Sequence, residues 1–264
     1  MLAAERRARI VSAIRRQGTV RVTELAELFD VSEMTIRRDL DELDHGGAVV
    51  KVHGGATLPA AASSDEPGFD AKAQRQRAEK VAIAAAAVRL LEPGGTIGLS
   101  AGTTTFALAQ AMADLRDLTV VTNSMRIAGV LHAQPEAGHT VVLTGGVRTP
   151  SDALVGPLAV TALEGLHLDV VFLGVHGIDV RAGFTTPNLL EAETDRALTA
   201  AGRRLVVLAD HTKWATIGLS TIAPLDRADV LVTDAGLDPG AAHTLSDHVG
   251  ELVLAATPET DGVR

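Results

Sequence analysis

The chain has 264 residues, is 46% hydrophobic and carries a formal net charge of −9. At roughly 150 residues per domain, this length indicates one large or two modest domains with enough apolar residues for a buried core. There is no cysteine and the nine histidines are scattered. Disulfides, thiol redox sensing and cysteine-rich zinc sites are therefore excluded, and we expect neither a metal site nor a cofactor.

The first residues, Met-Leu-Ala-Ala-Glu-Arg-Arg, turn charged at once. They do not offer the apolar core of a signal peptide. Nor does any apolar run approach the ~20 residues that are needed to span a bilayer. We therefore expect a cytoplasmic protein without a membrane partner.

Two helices are predicted before residue 32. Residues 3–17 place Ile10, Val11 and Ile14 on one face, which is the pattern of an amphipathic helix. Residues 19–21 suit a short strand that pairs with a later hairpin. Thr23 is then predicted to cap a second helix, whose inward residues would be Leu25, Leu28 and Phe29.

A third helix is predicted to start after Ser32, whose hydroxyl can cap the first turn. Apolar residues recur at i, i+4 and i+7 and should face the core: Ile36, Leu40 and Leu43. The opposite surface begins with Met34, Thr35, Arg37 and Arg38. Arginine can donate two hydrogen bonds to a guanine edge or bind a phosphate, so this helix is suited to a DNA groove.

A β-hairpin wing is predicted directly after this helix. Gly46 and Gly47 should end the helix, residues 49–52 suit a strand, and Gly54 with Gly55 suits a tight turn. A solvated amphipathic helix with two surface arginines is the alternative. The predicted DNA contacts are Ser32, Met34, Thr35, Arg37, Arg38, Lys51 and His53.

This amino-terminal region resembles the winged helix-turn-helix of the DeoR family of bacterial transcriptional regulators. The most specific match is Val-Ser-x-x-Thr-Ile-Arg-Arg-Asp-Leu at residues 31–40, followed by His-Gly-Gly-Ala at residues 53–56. Further matches lie at residues 6–10, 18–20, 25–26, 29, 43 and 46. The resemblance implies a DNA-binding regulator that is not an enzyme.

The distribution of charge agrees with DNA contact through this region alone. Residues 1–57 hold nine of the 24 basic and nine of the 33 acidic residues, so the whole net charge of −9 falls on the remainder. Phosphate would repel such an acidic body. We therefore expect only the amino-terminal segment to touch double-stranded operator DNA.

A linker is predicted at residues 58–68, which contain two prolines, small residues and acids without periodicity. The domains would then be 1–57 and 69–264. A long helix is predicted over residues 70–91. Its basic residues are interpreted as a solvated face: Lys72, Arg75, Arg77 and Lys80.

From residue 95 onward, short apolar strands alternate with helices. The strands are predicted at residues 96–99, 118–122, 140–143, 170–175, 205–209, 230–232 and 252–254, and helices at 104–113, 125–133, 158–166 and 189–201. This pattern indicates an α/β domain with a mainly parallel sheet covered on both sides. Such sheets bind ligands at the carboxyl ends of their strands.

Polar and glycine-rich residues gather at these predicted strand ends. Residues 100–105, Ser-Ala-Gly-Thr-Thr-Thr, lead into a helix and could cradle a phosphate with backbone N–H groups and hydroxyls. A simple helix cap is about as good an explanation. Farther on, Lys213 could bind an anionic ligand, while Asp179 and Glu191 could bind sugar hydroxyls.

Residues 69–233 resemble the carboxy-terminal sensor domain of the same family, which is similar in fold to ribose-5-phosphate isomerase. The resemblance implies a sugar-phosphate effector bound by Gly102, Thr103, Thr104, Thr105, Thr122, Asn123, Gly145, Gly146, Asp179, Glu191 and Lys213. The sequence departs from the family at Ser100, where many members have an acid or glycine. It also departs at Trp214, where phenylalanine is common.

We therefore expect a repressor of a carbohydrate-metabolism operon that binds DNA as a dimer or tetramer and responds to a phosphorylated sugar. Two alternatives stay open at this point. The chain could be an isomerase-like enzyme acting on phosphosugars, with Asp179, Glu191 and Lys213 as its polar groups. It could also be a DNA-binding protein whose second domain only forms oligomers.

Overall fold

The computed structural model describes residues 3–17, 19–45, 49–52, 54–57 and 68–256. The chain divides into two compact units, Met1–Ala62 and Ser63–Arg264. Most of the predicted linker, residues 58–67, lies outside the described residues, as do the predicted DNA contact His53 and the predicted helix-ending residues Gly46 and Gly47.

The first unit is a winged helix-turn-helix. It consists of α1 (Ala3–Gln17), β1 (Thr19–Arg21), α2 (Val22–Phe29), α3 (Glu33–His45), β2 (Val50–Val52) and β3 (Gly55–Thr57). The three strands form an antiparallel sheet in the order β1-β3-β2, with Val20 paired to Ala56. This confirms the predicted pairing of residues 19–21 with the wing.

Two predictions about α2 are wrong. The helix begins at Val22 with Arg21 as its N-cap residue, so Thr23 already lies inside the first turn. Leu28 is 63% exposed rather than inward. The buried stripe of α2 is centred on Val22 and Leu25, and at 100° per residue Leu28 lies outside that stripe.

The recognition helix α3 has the predicted cap and buried face. Ser32 Oγ accepts a hydrogen bond of 3.2 Å from Thr35 N, while Ile36 and Leu40 are fully buried. Asp39 joins α3 to α1, because its carboxylate accepts hydrogen bonds from Arg6 Nε at 2.5 Å and Arg6 Nη2 at 3.3 Å. This bidentate pair raises the pKa of Arg6 above its ordinary value and fixes how α3 sits in the unit.

The second unit is built on a parallel sheet of seven strands. These strands are β4 (Thr96–Leu99), β5 (Thr119–Thr122), β6 (Thr140–Leu143), β9 (Leu168–Gly174), β12 (Gly202–Leu208), β14 (Val230–Asp234) and β15 (Leu252–Ala255). Their order in the sheet is β15-β14-β12-β9-β4-β5-β6. Every pairing in this sheet is parallel. The predicted fold class, an α/β domain that follows a winged helix-turn-helix, is therefore confirmed.

Helices cover both faces of this sheet. One apolar core includes residues of α5 (Arg77–Val88), α6 (Thr103–Ala111) and α7 (Met125–His132). The core on the other face includes residues of α8 (Pro157–Leu163), α9 (Leu189–Ala201) and α10 (Pro239–Ser246). Smaller sheets pair β7 (Val147–Arg148) with β8 (Leu154–Val155), and β11 (Gly183–Thr186) with both β10 (Gly177–Asp179) and β13 (Ser220–Ala223).

The long helix predicted over residues 70–91 is broken. It forms α4 (Phe69–Ala73) and α5, and Gln76 between them adopts the left-handed conformation with φ +48°. Lys80 is only 6% exposed, and its Nζ donates to the carbonyls of Lys72 at 2.6 Å and Arg75 at 2.5 Å. The interpretation of Lys80 as part of a solvated face is therefore wrong, because its ammonium binds backbone oxygens at the break.

The strand order places a ligand-binding crevice at one point of the sheet. From β4 the chain continues through β5 and β6 on one side, and then returns to β9 on the other side of β4. In open α/β sheets, the crevice outside the carboxyl ends of two such neighbours is the usual ligand site. Ser100 joins the two strands here, since its buried Oγ accepts a hydrogen bond of 2.9 Å from Gly174 N.

Candidate functional site

A cavity of about 150 Å³ lies where the strand order predicts it. Residues from the carboxyl ends of three neighbouring strands line it: Ala101 and Gly102 after β4, Gly174–His176 at the end of β9, and Asp210 with Lys213 after β12. The α4–α5 segment forms another part of the wall, including Phe69, Lys72, Arg75, Gln76 and Lys80.

The amino terminus of α6 faces this cavity. Gly102 is the N-cap residue, and Thr103 and Thr104 line the cavity beside it. The first N–H groups of a helix lack partners within the helix and lie at the positive end of its dipole, which favours an anion. Asn123 supports the loop, because its Oδ1 accepts a hydrogen bond of 2.7 Å from Ala101 N.

Four cationic side chains line the cavity: Lys72, Arg75, Lys80 and Lys213. Burial lowers the pKa of Lys80 from 10.5 to about 8, with further lowering by Lys213 and Arg75, while Asp210 opposes this effect. Lys213 and Arg75 therefore lie close enough to Lys80 to disfavour its charged form. Together with the start of α6, they make a site for an anionic group such as a phosphate.

Two carboxyl groups of α9, one turn apart, form another part of the lining. Glu191 accepts hydrogen bonds from Thr149 Oγ1 at 2.8 Å, from Ser151 Oγ and from Thr186 Oγ1 at 3.3 Å. Asp195 is 7% exposed, and burial followed by repulsion from Glu191 raises its pKa well above the ordinary range. Hydroxyls and carboxyls at this end of the cavity can recognise a polyhydroxylated group.

The structure brings together five of the predicted effector-binding residues in this cavity: Gly102, Thr103, Thr104, Glu191 and Lys213. The sequence interpretation did not include several other lining residues, among them Lys72, Arg75, Lys80, Ser151, Asp195 and Asp210. Lys80 was not recognised as a buried residue because a single continuous helix was assumed. Asp195 was not recognised because no motif surrounds it.

The other six predicted residues do not line this cavity. Thr105 Oγ1 donates to Gly102 O at 3.1 Å, and Thr122 Oγ1 donates to Leu99 O at 2.7 Å. Asp179 caps the β10–β11 turn by accepting from the N–H groups of residues 181 and 182. Asn123 supports the loop, and Gly145 and Gly146 follow β6 in left-handed conformations. Thr105, Thr122, Asn123 and Asp179 thus bind backbone groups of the protein, and all six residues lie outside the lining of this cavity.

In the winged unit, α3 presents the predicted DNA-facing surface. Met34 is 65% exposed, and Arg37 and Arg38 are exposed beside it. Arg37 Nη2 forms an ion pair of 3.1 Å with Glu33, one turn earlier. Within the described ranges, Arg38 makes no ion pair with any residue, so its guanidinium is available to DNA.

Ser32, Thr35 and Lys51 complete the described part of this surface. Ser32 Oγ and Thr35 Oγ1 lie 2.9 Å apart and form a hydrogen bond. Lys51 on strand β2 of the wing pairs with Asp41 of α3, and both side chains are nearly half exposed. Lys51 can therefore exchange its carboxylate partner for a phosphate without disturbing the core of the unit.

The ranges that the structure describes contain neither a candidate membrane span nor a candidate metal site. No helix there is long and apolar enough to cross a bilayer. No group of three or more histidine, aspartate or glutamate side chains there has the arrangement of a metal site.

Two family models match the chain. The DeoR-like helix-turn-helix domain matches residues 6–61, and the DeoR C terminal sensor domain matches residues 75–235. Among curated proteins, a putative aga operon transcriptional repressor of Escherichia coli is 34% identical, with 95% of this chain and 93% of the relative covered. The transcriptional repressor AccR of Agrobacterium fabrum is also 34% identical, with 88% and 90% covered.

Solved structures with similar folds include ribose 5-phosphate isomerase from Plasmodium falciparum. It has a TM-score of 0.38 and 17% identity, and the match covers 53% of this chain and 54% of that one. The beta subunit of eIF2B from Chaetomium thermophilum has a TM-score of 0.40 and 15% identity, with 59% and 48% covered.

The family matches and the relatives decide between a regulator and an enzyme. Both domain models are those of regulators, and the relatives named above are repressors, which confirms the prediction that this chain is not an enzyme. The chain belongs to the DeoR family of DNA-binding transcriptional regulators.

Proposed function

We propose that this regulator is a repressor of a carbohydrate-metabolism operon and that a phosphorylated sugar bound in the cavity of the second unit controls it. In this proposal residues 1–57 bind double-stranded operator DNA, residues 58–68 link the two domains, and residues 69–264 bind the effector and form the homo-oligomer. A dimer or tetramer is expected, because helix-turn-helix proteins read two half-sites about 10 base pairs apart or multiples of that.

The observation that carries the proposal is the joint placement of anion-binding and hydroxyl-binding groups around one cavity. The start of α6 and the cations Lys80 and Lys213 suit a phosphate, while Glu191 and Ser151 suit sugar hydroxyls. A small molecule that carries both groups is a sugar phosphate. The relative that is named as a putative repressor of the aga operon supports repression as the mode of action.

The recognition surface is proposed to consist of Ser32, Met34, Thr35, Arg37, Arg38 and Lys51, with His53 as a further predicted contact. Arg37 and Arg38 are the candidates for reading base edges in the major groove. Lys51, on the wing, is the candidate for a phosphate contact, which positions the protein without reading sequence.

Fluorescence anisotropy at fixed salt tests this function. The labelled DNA is the region upstream of the protein's own gene, and the assay is run with and without a panel of sugar phosphates. We expect one compound to change the affinity for DNA. Tight DNA binding that no compound changes would contradict effector control and favour a second domain that only forms oligomers.

A matched pair of variants shows whether the effect arises in the cavity. Lys213→Met removes a cation that lines the cavity, and Arg203→Met removes an exposed cation that pairs with Asp169. We expect Lys213→Met to abolish the effector response while operator affinity stays unchanged, and Arg203→Met to respond as the wild type does. Loss of DNA binding together with the response in Lys213→Met would indicate a folding defect instead.

A further inference from the structure

Asp195 is a buried acid that faces the cavity without a protein partner. It lies on α9, one turn after Glu191, and it lines the cavity although only 7% of the residue is exposed. Within the described part of the chain, its carboxyl group makes no hydrogen bond and no ion pair. The neighbouring carboxylates differ, because Glu191 accepts from three hydroxyls and Asp210 accepts from Thr212 N at 3.1 Å.

Such a group is open to a ligand. Polar groups in largely buried positions are nearly always hydrogen-bonded, so an acid that faces a cavity without a protein partner is suited to a partner that enters the cavity. Burial and the nearby Glu191 raise the pKa of Asp195 well above its ordinary value, with only Arg196 acting in the opposite direction. Burial therefore shifts Asp195 towards the neutral acid, and the neutral form offers one O–H donor and one carbonyl acceptor to a ligand.

The anionic part of a ligand is better suited to other groups of the lining than to the acids of α9. The start of α6 and the cations Lys80 and Lys213 attract a phosphate. A second negative group would be repelled by Glu191 if it lay beside Asp195. A hydroxyl group suits this position, because it can donate to a carboxylate and can also accept from a neutral acid.

We infer that Asp195 is a specificity-determining residue that binds a hydroxyl of the effector, so that the cavity selects a polyhydroxylated phosphate over phosphate itself. This inference rests on the proposed function and adds the residue that distinguishes the sugar portion from its anion. Removing Asp195 then weakens the binding of sugar phosphates selectively. It also removes a largely buried acid whose charged form is disfavoured in the empty protein.

The test uses the full-length protein and isothermal titration calorimetry at pH 7. The probes are inorganic phosphate, D-glucose 6-phosphate, D-fructose 1-phosphate and D-fructose 6-phosphate. The variants are Asp195→Leu, which keeps the volume and removes the polar group, and Asp195→Asn, which keeps a donor and an acceptor. Glu193→Gln is the matched control, because Glu193 is an exposed acid on the same helix.

For the sugar phosphate that the wild type binds, we expect Asp195→Leu to lose about tenfold or more in affinity, because a hydrogen-bonding group of the ligand is then left unpaired. Its affinity for inorganic phosphate should stay within about twofold, and its melting temperature without ligand should not fall. We expect Asp195→Asn to retain affinity within about threefold, and Glu193→Gln to match the wild type.

Several results would overturn the inference. Asp195→Leu could bind the sugar phosphate as the wild type does, or it could lose both probes equally with a lowered melting temperature, which would show a structural role only. A wild type that binds inorganic phosphate but no sugar phosphate would refute hydroxyl recognition. A wild type that binds none of the probes would refute the proposed function itself, which separates the two failures.

Discussion

Replacing Lys80 by methionine should remove a pH dependence of stability that the wild type possesses. The native fold lowers the pKa of Lys80 from 10.5 to about 8. Between these two values the unfolded chain holds the proton and the native protein does not, so the free energy of unfolding rises with pH in that window. The pKa difference corresponds to about 3 kcal/mol in total, of which roughly 2 kcal/mol falls between pH 7.5 and 10.

The physical cause of this effect lies at the break between α4 and α5. Burial is the largest contribution to the lowered pKa, and the cations Lys213 and Arg75 add to it. Methionine keeps the apolar stem of the side chain but has no ammonium to desolvate. The carbonyl groups of Lys72 and Arg75 lose their donor in the variant. This loss should lower the free energy of unfolding by the same amount at pH 7.5 and at pH 10.

Urea unfolding followed by tryptophan fluorescence measures the effect, because the single tryptophan, Trp214, lies in the second unit. The free energy of unfolding of the wild type minus that of Lys80→Met should increase by roughly 2 kcal/mol from pH 7.5 to pH 10. Arg77→Met, which removes an exposed cation at the start of α5, should show no such increase. A difference that stays constant with pH for Lys80→Met would refute this account of the buried ammonium.

Further predictions concern the recognition helix and the loop after β6. Arg37→Ala and Arg38→Ala should each cost about 1–3 kcal/mol of operator binding if the arginine reads a base; an anisotropy titration that matches the wild type would remove that arginine from the contact surface. Gly146→Ala should destabilise the second unit by more than about 1 kcal/mol, since φ is +121° and an added Cβ would lie 2.5 Å from Val155 O. Unchanged urea unfolding of Gly146→Ala, followed at Trp214, would contradict this strain argument.

The regular elements of the second unit could be predicted because each one has a local cause. The apolar run at residues 140–143 and the periodic helix at residues 189–201 have the same bounds in the structure as in the sequence analysis. The break before α5 could not be predicted in this way. Gln76 adopts a left-handed conformation without being a glycine. The lysine that binds the freed carbonyls comes from the next turn, and the helical periodicity of residues 70–91 does not reveal this contact.

The candidate site, too, could be predicted only in part from the sequence. Sequence alone places polar residues at the carboxyl ends of strands, but it does not give the order of the strands in the sheet. The crevice lies between β4 and β9, so residues after β4 reach the cavity, whereas Gly145 and Gly146 follow the edge strand β6 and do not. Asp195 lies within a helix and outside any motif, and only the packing of α9 against the cavity shows that it lines the cavity.

The winged unit has a formal charge of zero, and the exposure of its ion pairs explains how it can still bind DNA. Arg6 and Asp39 are almost completely buried and hold α1 against α3, so this pair belongs to the fold. The pairs Arg37–Glu33 and Lys51–Asp41 are each about half exposed, and exposed pairs contribute only about 0–1 kcal/mol. A DNA phosphate can therefore replace either carboxylate at little cost. The slope of operator affinity against salt concentration should then show how many of these cations exchange a carboxylate for a DNA phosphate. The net charge alone does not reveal this number.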